Sequence, residues 1–383
     1  MSSDPEETQD YNEESITETT TTFNLDNLPS SFQKFLKDNA IDPQIYTVVD
    51  LPRYIRLNTH SNNLPTLNDL KTQLNTTHVW QVKKSGLFGF LNAKQRLVDI
   101  EAYKTHKVFG IDLSSAMAVD ALELESNDQV LDLCCAPGAK LCMIANLLGN
   151  DGDGTVTGVD IANHRLATCR SMVKKYSVGN RVRLFDADGT TFCIPPPSRV
   201  GGRMIVKEDN KKDDDHCDHK NDESLQQEQP VTKKRRKTNK NEQKPFWASK
   251  LLRFDTQDSP HLYDKVLVDA ECTHDGSISH ILKYEKWGWD AFEKNFMNPD
   301  RLSTICELQR NLMKQGWKML KEKGTMVYST CSLTIQQNES NVEWFLNHYP
   351  DAQLEPVDSL DISRAKLKNT DPSLSHCVRF DPL

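Results

Sequence analysis

A chain of 383 residues with 37% hydrophobic side chains can bury at least one sizeable core, as one large or two small domains, so it is neither a fibre nor a disulfide-stapled miniprotein. Its 10 cysteines follow no regular framework, and no apolar run reaches the roughly 20 residues that a membrane helix needs. The net charge of -8 argues against a polyanionic partner until it is divided along the chain.

Residues 1–26 hold eight acids and no base, so the whole imbalance sits in a segment expected to be a disordered tail. This segment has neither the apolar stretch of a secretory signal nor the Arg-rich amphipathy of an organellar one. A reducing, intracellular compartment is therefore expected. Residues 27–110 hold eleven bases against six acids, a surplus that suits a phosphate backbone as well as it suits an ordinary solvated surface. The pattern is mixed, with Phe32, Phe35 and Leu36 on a predicted helix and Tyr54, Ile55, Arg56 and Leu57 on a predicted strand. It reads as a small α+β auxiliary domain.

Within a second domain placed at residues 111–383, the stretch from Asp128 to Leu333 alternates short apolar runs with helical patterns, the signature of an α/β domain with a mostly parallel sheet. Residues 130–133 are the first predicted strand, followed by a turn and a helix over about 141–148. Residues 155–160 are the second, followed by a helix whose apolar positions Leu166, Cys169, Met172 and Val173 recur at helical spacing. Residues 181–185 are the third. An insertion at about 198–250, almost without apolar residues from Arg203 to Phe246, is expected to be disordered and to interrupt the domain without dividing it. Within it, the run from Lys233 to Lys237 favours the nucleus or nucleolus over the cytoplasm. His216, Cys217 and His219 are too crowded for a structural zinc site, and no metal is expected. Residues 265–269 form a buried fourth strand, and a helix over about 299–323 leads to a fifth at 325–328. The ligand crevice of such a sheet lies at the carboxyl ends of its strands.

The first strand ends in Cys134, Cys135, Ala136, Pro137, Gly138, Ala139 and Lys140. Here a proline fixes the turn and a glycine lets the backbone approach a ligand before a helix begins. Asp160, at the end of the second strand, can accept hydrogen bonds from both hydroxyls of a ribose, and Arg165 follows in the next helix. The combination suits a nucleoside cofactor, and a single glycine in the turn disfavours a dinucleotide and hence a dehydrogenase. A plain strand-to-helix turn with a surface acid is the bland alternative. Asp186 or Asp188, after the third strand, can reach an adenine amino group; Gly189 favours Asp188 by placing it in the turn. The fourth strand ends in Asp269-Ala270-Glu271-Cys272-Thr273-His274 and the fifth in Tyr328-Ser329-Thr330-Cys331-Ser332. A single buried cysteine is ordinarily an inert small hydrophobe, but two at equivalent ends of adjacent strands point to thiol chemistry.

Over residues 51–382 these motifs resemble the Nop/Sun-type, or Fmu-like, RNA cytosine C5-methyltransferases. Cys134 to Lys140 resembles the family's cofactor loop, Asp269 to Cys272 its Asp-x-Pro-Cys, and Tyr328 to Ser332 its Tyr-Ser-Thr-Cys-Ser. Leu51 to Asn58 and Gly110 to Ser115 resemble two further segments. The resemblance implies a Rossmann-like class I methyltransferase sheet with helices on both faces, and residues 27–110 as an RNA-binding domain. S-adenosyl-L-methionine would be held by Cys134 to Lys140, Asp160, Arg165, Asp188 and Asp269, and the substrate would be RNA, either tRNA or rRNA.

The resemblance also implies roles. The thiolate of Cys331 would add to carbon 6 of cytosine and so make carbon 5 nucleophilic. Asp269 would bind the cytosine edge and favour protonation at N3, and Cys272 would assist removal of the carbon-5 proton or release of the RNA. Lys140 would supply the positive potential, because a thiol near its usual pKa of about 8.5 is only a few per cent ionised at neutral pH. The target base would leave its stack.

Three features depart from the family. Glu271 stands where it has proline, which would raise the pKa of Cys272 or displace it. Cys135 and Ala139 replace small residues of the loop. Residues 379–383 resemble the start of a C-terminal segment that continues further in the family, so the sheet is expected to be one strand short. An inactive RNA-binding or assembly factor that keeps the fold is the alternative reading. DNA methylation is disfavoured because DNA enzymes rely on a Pro-Cys nucleophile at the fourth strand.

Overall fold

The structure, a computed structural model, describes residues 24–48, 51–83, 86–200, 203–204, 244–253, 261–357 and 372–381. The acidic tail up to residue 23, most of the insertion, the basic run at 233–237 and the His216 cluster lie outside the described residues.

Near the N-terminus come α1 (Ser30–Asp38), β1 (Arg53–Leu57), α2 (Leu67–Gln73), β2 (Val79–Lys83), β3 (Leu87–Phe90), α3 (Glu101–Lys104) and β4 (Val108–Gly110). The four strands form an antiparallel sheet in the order β2-β3-β1-β4, closed over Ile55, Leu70, Val79, Phe90 and Val108. Helix α1 does not join that core. Its buried Phe32 and Leu36, one turn apart, pack with Ile281, Tyr284 and Phe292, and the Phe32 and Phe292 rings meet edge-on at 4.6 Å. Sequence places α1 next to the small sheet, but the matching apolar surface is 250 residues away, which spacing cannot show.

The larger part comprises α4 (Leu113–Asp120), β5 (Gln129–Asp132), α5 (Ala139–Leu147), β6 (Thr155–Asp160), α6 (Asn163–Lys175) and β7 (Val182–Asp186). The short strands β8 (Arg199–Val200), β9 (Arg203–Met204), β10 (Trp247–Ala248) and β11 (Leu252–Arg253) follow. Then come β12 (Tyr263–Asp269), α7 (Ile278–Ile281), α8 (Tyr284–Trp287), α9 (Trp289–Phe296), α10 (Pro299–Met319), β13 (Leu320–Ser329) and α11 (Glu339–His348). The main sheet runs β10-β7-β6-β5-β12-β13 and is parallel except for β10.

Successive residues of each inner strand point to opposite faces, and both faces are buried. Val130, Val156, Val182 and Leu267 meet α4, α5 and α6; Leu131, Val159, Phe185, Val266 and Val268 meet α10 and α11. Helix α10 starts on Pro299, with the Asn298 side chain accepting from Asp300 N, and turns Ile305, Leu312, Met313 and Met319 inward. Among the described residues no helix is long and apolar enough to cross a membrane.

All five predicted strands form, with two differences at the edges. Strand β10 was not anticipated, because two residues beside a charged stretch carry no period-2 pattern; it pairs Trp247 with Leu184. The predicted helix to residue 323 ends at Met319, and β13 starts at once. Lys321 there pairs with Asp264 of β12, so a tertiary ion pair draws an outwardly helical, polar stretch into the sheet. From β5 the chain steps outward to β6 and β7, then returns to put β12 on the other side of β5. The order therefore reverses between β5 and β12, the switch point at whose carboxyl ends a sheet of this kind places its ligand crevice.

Candidate active site

Strand β5 delivers Asp132 to this crevice, buried to 1% exposure. Its Oδ1 accepts from Cys134 N (3.3 Å), while Oδ2 has no hydrogen-bond partner among the described residues. Burial first, and then the neighbouring Asp269 carboxylate, push the Asp132 carboxyl up to about 8. The turn that follows ends at Gly138, whose φ of 112° lies in the left-handed region; an added Cβ would sit 3.2 Å from Cys169 Cα and 3.3 Å from its Sγ. Gly138→Ala is expected to destabilise the fold by about 1–2 kcal/mol and to weaken binding of an adenosyl ligand at least tenfold. Thermal melts and ligand titration would check this.

Asp160, at the end of β6, is buried and holds the turn: Oδ2 accepts from Ala136 N (3.2 Å) and Oδ1 from Ala162 N (3.0 Å). Arg165 donates to the Ala136 carbonyl (2.8 Å) and lies 3.6 Å from Asp160 Oδ2, so it clamps turn and acid together. Ile161, next to Asp160, is 72% exposed, an apolar surface at the mouth of the crevice. Asp186 accepts from Asn163 Nδ2 (2.9 Å), whereas Asp188 turns Oδ1 onto Thr190 N (2.8 Å) and Oγ1 (2.7 Å); both acids are exposed. Cys134 and Cys135 are held as neutral thiols. Burial, then Asp132, raises the first; a hydrogen bond with Cys169, then burial, raises the second.

On the other side of the crevice Lys140 Nζ donates to Asp269 Oδ2 (2.7 Å), and Ser329 Oγ donates to Asp269 Oδ1 (2.7 Å). Asp269 and Ser329 are register partners at the ends of β12 and β13. The loops beyond bring Cys272 Sγ to 2.8 Å from Cys331 Sγ, and His274 Nδ1 to 2.8 Å from Cys331 Sγ and 3.8 Å from Cys272 Sγ. Cys331 is exposed and Cys272 buried. The Cys272 thiol is raised far above its ordinary range by Cys331 first and by burial second. Glu271 is exposed, its carbonyl held by Gln309 Nε2 (2.8 Å), and it does not account for the Cys272 shift expected of it. The ligand atoms of Cys272, His274 and Cys331 lie within 4.8 Å of one another, but sulfurs sharing a tetrahedral zinc would stand about 3.8 Å apart, wider than the 2.8 Å here.

A buried polar network fixes the two cysteine loops. Asp275 accepts from Ser332 Oγ (2.8 Å), Leu333 N (2.6 Å) and Thr273 Oγ1, and Gln337 Nε2 donates to Thr273, Ser332 and Thr334 hydroxyls at 2.7–2.9 Å. Gly276 N donates to the Cys331 carbonyl (3.0 Å), and a Cβ on Gly276 would come within 2.5 Å of that oxygen, so only glycine allows the approach. The structure thus brings Lys140, Asp269, Cys272 and Cys331 to the carboxyl ends of adjacent strands, and Asp160, Arg165 and Asp188 to the ends of β6 and β7. It adds residues that sequence reasoning missed. Asp132, a lone acid in an apolar strand, carried a legible signal, and so did Ile161 directly after Asp160; His274, Asp275 and Gln337 carried none.

The family described as 16S rRNA methyltransferase RsmB/F matches this chain over residues 119–195 and 213–382. Ribosomal RNA small subunit methyltransferase B of Xanthomonas campestris pv. campestris is 24% identical over 249 residues, 64% of this chain and 39% of that protein. The tRNA (cytosine(72)-C(5))-methyltransferase NSUN6 of Homo sapiens is 25% identical over 274 residues, 71% of this chain and 44% of that protein. The chain therefore spans about two fifths of the length of these relatives. Among solved structures, NSun6 from Pyrococcus horikoshii with SFG superposes with a TM-score of 0.57 at 16% identity, covering 88% of this chain and 91% of that one. A methyltransferase homologue from the same organism gives 0.53 at 22% identity, covering 85% and 78%. At these identities the likeness shows the fold, the Rossmann-like methyltransferase sheet expected from the sequence.

Proposed function

Because the chain belongs to the 16S rRNA methyltransferase RsmB/F family, we propose that it is an S-adenosyl-L-methionine-dependent RNA methyltransferase that makes 5-methylcytosine in tRNA or rRNA through a covalent bond from Cys331 to the base. The observation that carries this reading is the unlike pair of thiols at the ends of β12 and β13: an exposed Cys331 against an imidazole, and a buried Cys272 held neutral. A nucleophile must be accessible, and of this pair Cys331 is the accessible one, Cys272 being buried and held as a thiol.

The residues of the first crevice wall fit the cofactor. Asp132 leaves a buried carboxyl oxygen unmet at the strand end, Gly138 keeps the turn open to close backbone approach, and Ile161 offers an apolar surface beside Asp160. Each Asp160 oxygen accepts one backbone N–H and retains a lone pair for a ribose hydroxyl. Cys134 to Lys140, Arg165, Asp188 and Asp269 complete the set. When bound, S-adenosyl-L-methionine supplies an electrophilic methyl group for carbon 5 of the cytosine.

The protein's own part begins with the Cys331 thiolate, whose lone pair forms a bond to carbon 6 while the C5=C6 pair moves toward carbon 5. Asp269, pinned by Lys140 and Ser329, presents its carboxyl to the cytosine edge and favours protonation at N3. Of the two roles open to Cys272, the neutral state in which it is held supports the second: its S–H beside Cys331 hydrogen-bonds to the departing sulfur, without giving up its proton, and so helps release the RNA. Cys272→Ala is expected to accumulate a covalent protein–RNA adduct, seen as a shifted band on a denaturing gel. A variant that methylates normally without that band would remove the role.

The base surplus of residues 27–110 supports RNA contact by the N-terminal region, and a nuclear or nucleolar location rests on the basic run from Lys233 to Lys237. The test of function is transfer of labelled methyl from S-adenosyl-L-methionine to unmodified tRNA and small-subunit rRNA transcripts. Label in 5-methylcytidine is expected, whereas RNA binding without label would favour an inactive assembly factor.

A further inference from the structure

We propose that His274 is the base that ionises Cys331, so that this site works as a cysteine–histidine pair. The proposal rests on the reading of Cys331 as nucleophile and goes beyond it by naming the group that receives its proton.

Lys140, the cation expected from sequence to serve the thiol, is bound to Asp269 at 2.7 Å, and its partner Asp269 is bound in turn to Ser329. The group against the Cys331 sulfur is instead the imidazole of His274, with Nδ1 at 2.8 Å. A histidine is suited to that position because its proton exchanges near neutral pH, where an ordinary thiol is mostly protonated.

The backbone secures the contact. His274 sits at φ 54°, in the left-handed region, with its carbonyl accepting from Ser277 N (2.9 Å). The next residue, Asp275, anchors the loop to Ser332 and Leu333, the two residues that follow Cys331. The ring is therefore carried by one cysteine loop and aimed at the other.

The groups that face the imidazole are Cys331 and Cys272, with Glu271 and Asp275 beside it on its own loop. The Cys272 sulfur, followed by Glu271 and Asp275, raises the His274 pKa against the effect of burial, which favours the imidazolium once it has taken a proton. Cys272 competes poorly for the same ring, being 1 Å further away and held as a thiol.

The step is a proton transfer followed by addition. The Cys331 S–H bond breaks, its proton moves to His274 Nδ1, and the electron pair left on sulfur forms the bond to carbon 6. On release the carbon-5 proton leaves to solvent, its C–H pair forms the C5=C6 bond, the C6–S pair returns to sulfur, and sulfur regains its proton from His274 Nδ1. No oxidant or reductant is involved.

The test uses the full chain and two readouts. In the first, iodoacetamide alkylation of the Cys331 peptide is followed by mass spectrometry from pH 6 to pH 9.5 without RNA. His274→Ala and His274→Gln are both expected to slow alkylation at pH 7 about tenfold or more and to approach the wild-type rate near pH 9, where a thiol ionises unaided. In the second, methyl transfer at pH 7 is expected to fall about 10²-fold in both variants and to recover in part as the pH rises. Glutamine keeps the bulk and a hydrogen bond but cannot take the proton, so a loss confined to the alanine variant would mean that His274 only positions the loop, and would overturn the proposal. Unchanged pH profiles in both variants would overturn it as well. If Cys331→Ala itself methylates RNA at the wild-type rate, the nucleophile reading fails first. If that variant is dead while the His274 variants keep wild-type rates and profiles, only the role of His274 fails.

Discussion

Cys331→Ala is expected to abolish 5-methylcytosine formation, by at least about 10³-fold, while leaving the fold intact. Carbon 5 of cytosine does not take a methyl group unaided, and a side chain without the sulfur cannot open the route through carbon 6. The residue is exposed, so its stability should change within the range of an ordinary surface substitution, about 0.5 kcal/mol. Cys331→Ser should be nearly as inactive, because a hydroxyl is a far weaker nucleophile at neutral pH even beside His274. The check is labelled methyl transfer next to a thermal melt. An inactive protein with an unchanged melt supports the assignment, and retained activity contradicts it.

The second large effect belongs to a residue that touches no substrate. Asp275 is 1% exposed and accepts hydrogen bonds from Ser332 Oγ, Leu333 N and Thr273 Oγ1. Asp275→Ala removes the acceptor of Leu333 N and leaves the Thr273 and Ser332 hydroxyls only the weaker alternatives of each other and Thr334, so a loss of about 2 kcal/mol is expected. Because the same bonds join the Cys272 loop to the Cys331 loop, methyl transfer should fall at least about 10²-fold even at temperatures where the protein remains folded. Chemical denaturation and single-turnover kinetics on one preparation separate the two losses. An unaltered denaturation midpoint would show that the network is not what holds the loops.

These two residues mark how far the sequence carries. Apolar runs at 130–133, 155–160 and 265–269 could be read as parallel strands because burial on both faces leaves little room for polar residues, and the strand-to-helix turn at Gly138 announced itself through proline and glycine chemistry. Strand ends then located the crevice, and Cys272 and Cys331 followed from their equivalent positions. The partner of the thiol was not legible. Lys140 and His274 both lie just beyond strand ends, and only the Asp269 contact of the first and the Cys331 contact of the second tell them apart. Asp275 and Gln337 escaped notice for the same reason: a buried polar network has no periodicity, and each member looks like an ordinary loop residue. The placement of α1 against residues 281–292 was hidden because aromatic faces so far apart in sequence are matched only in space.

The central claim concerns which sulfur bonds to the base. RNA transcripts carrying 5-fluorocytidine, incubated with the full chain and S-adenosyl-L-methionine, would hold the covalent intermediate, because fluorine at carbon 5 cannot leave as a proton does. After nuclease and protease digestion, mass spectrometry is expected to find the nucleotide on the peptide that contains Cys331. A nucleotide on the Cys272 peptide, or methylation activity with no adduct at either cysteine, would contradict the account.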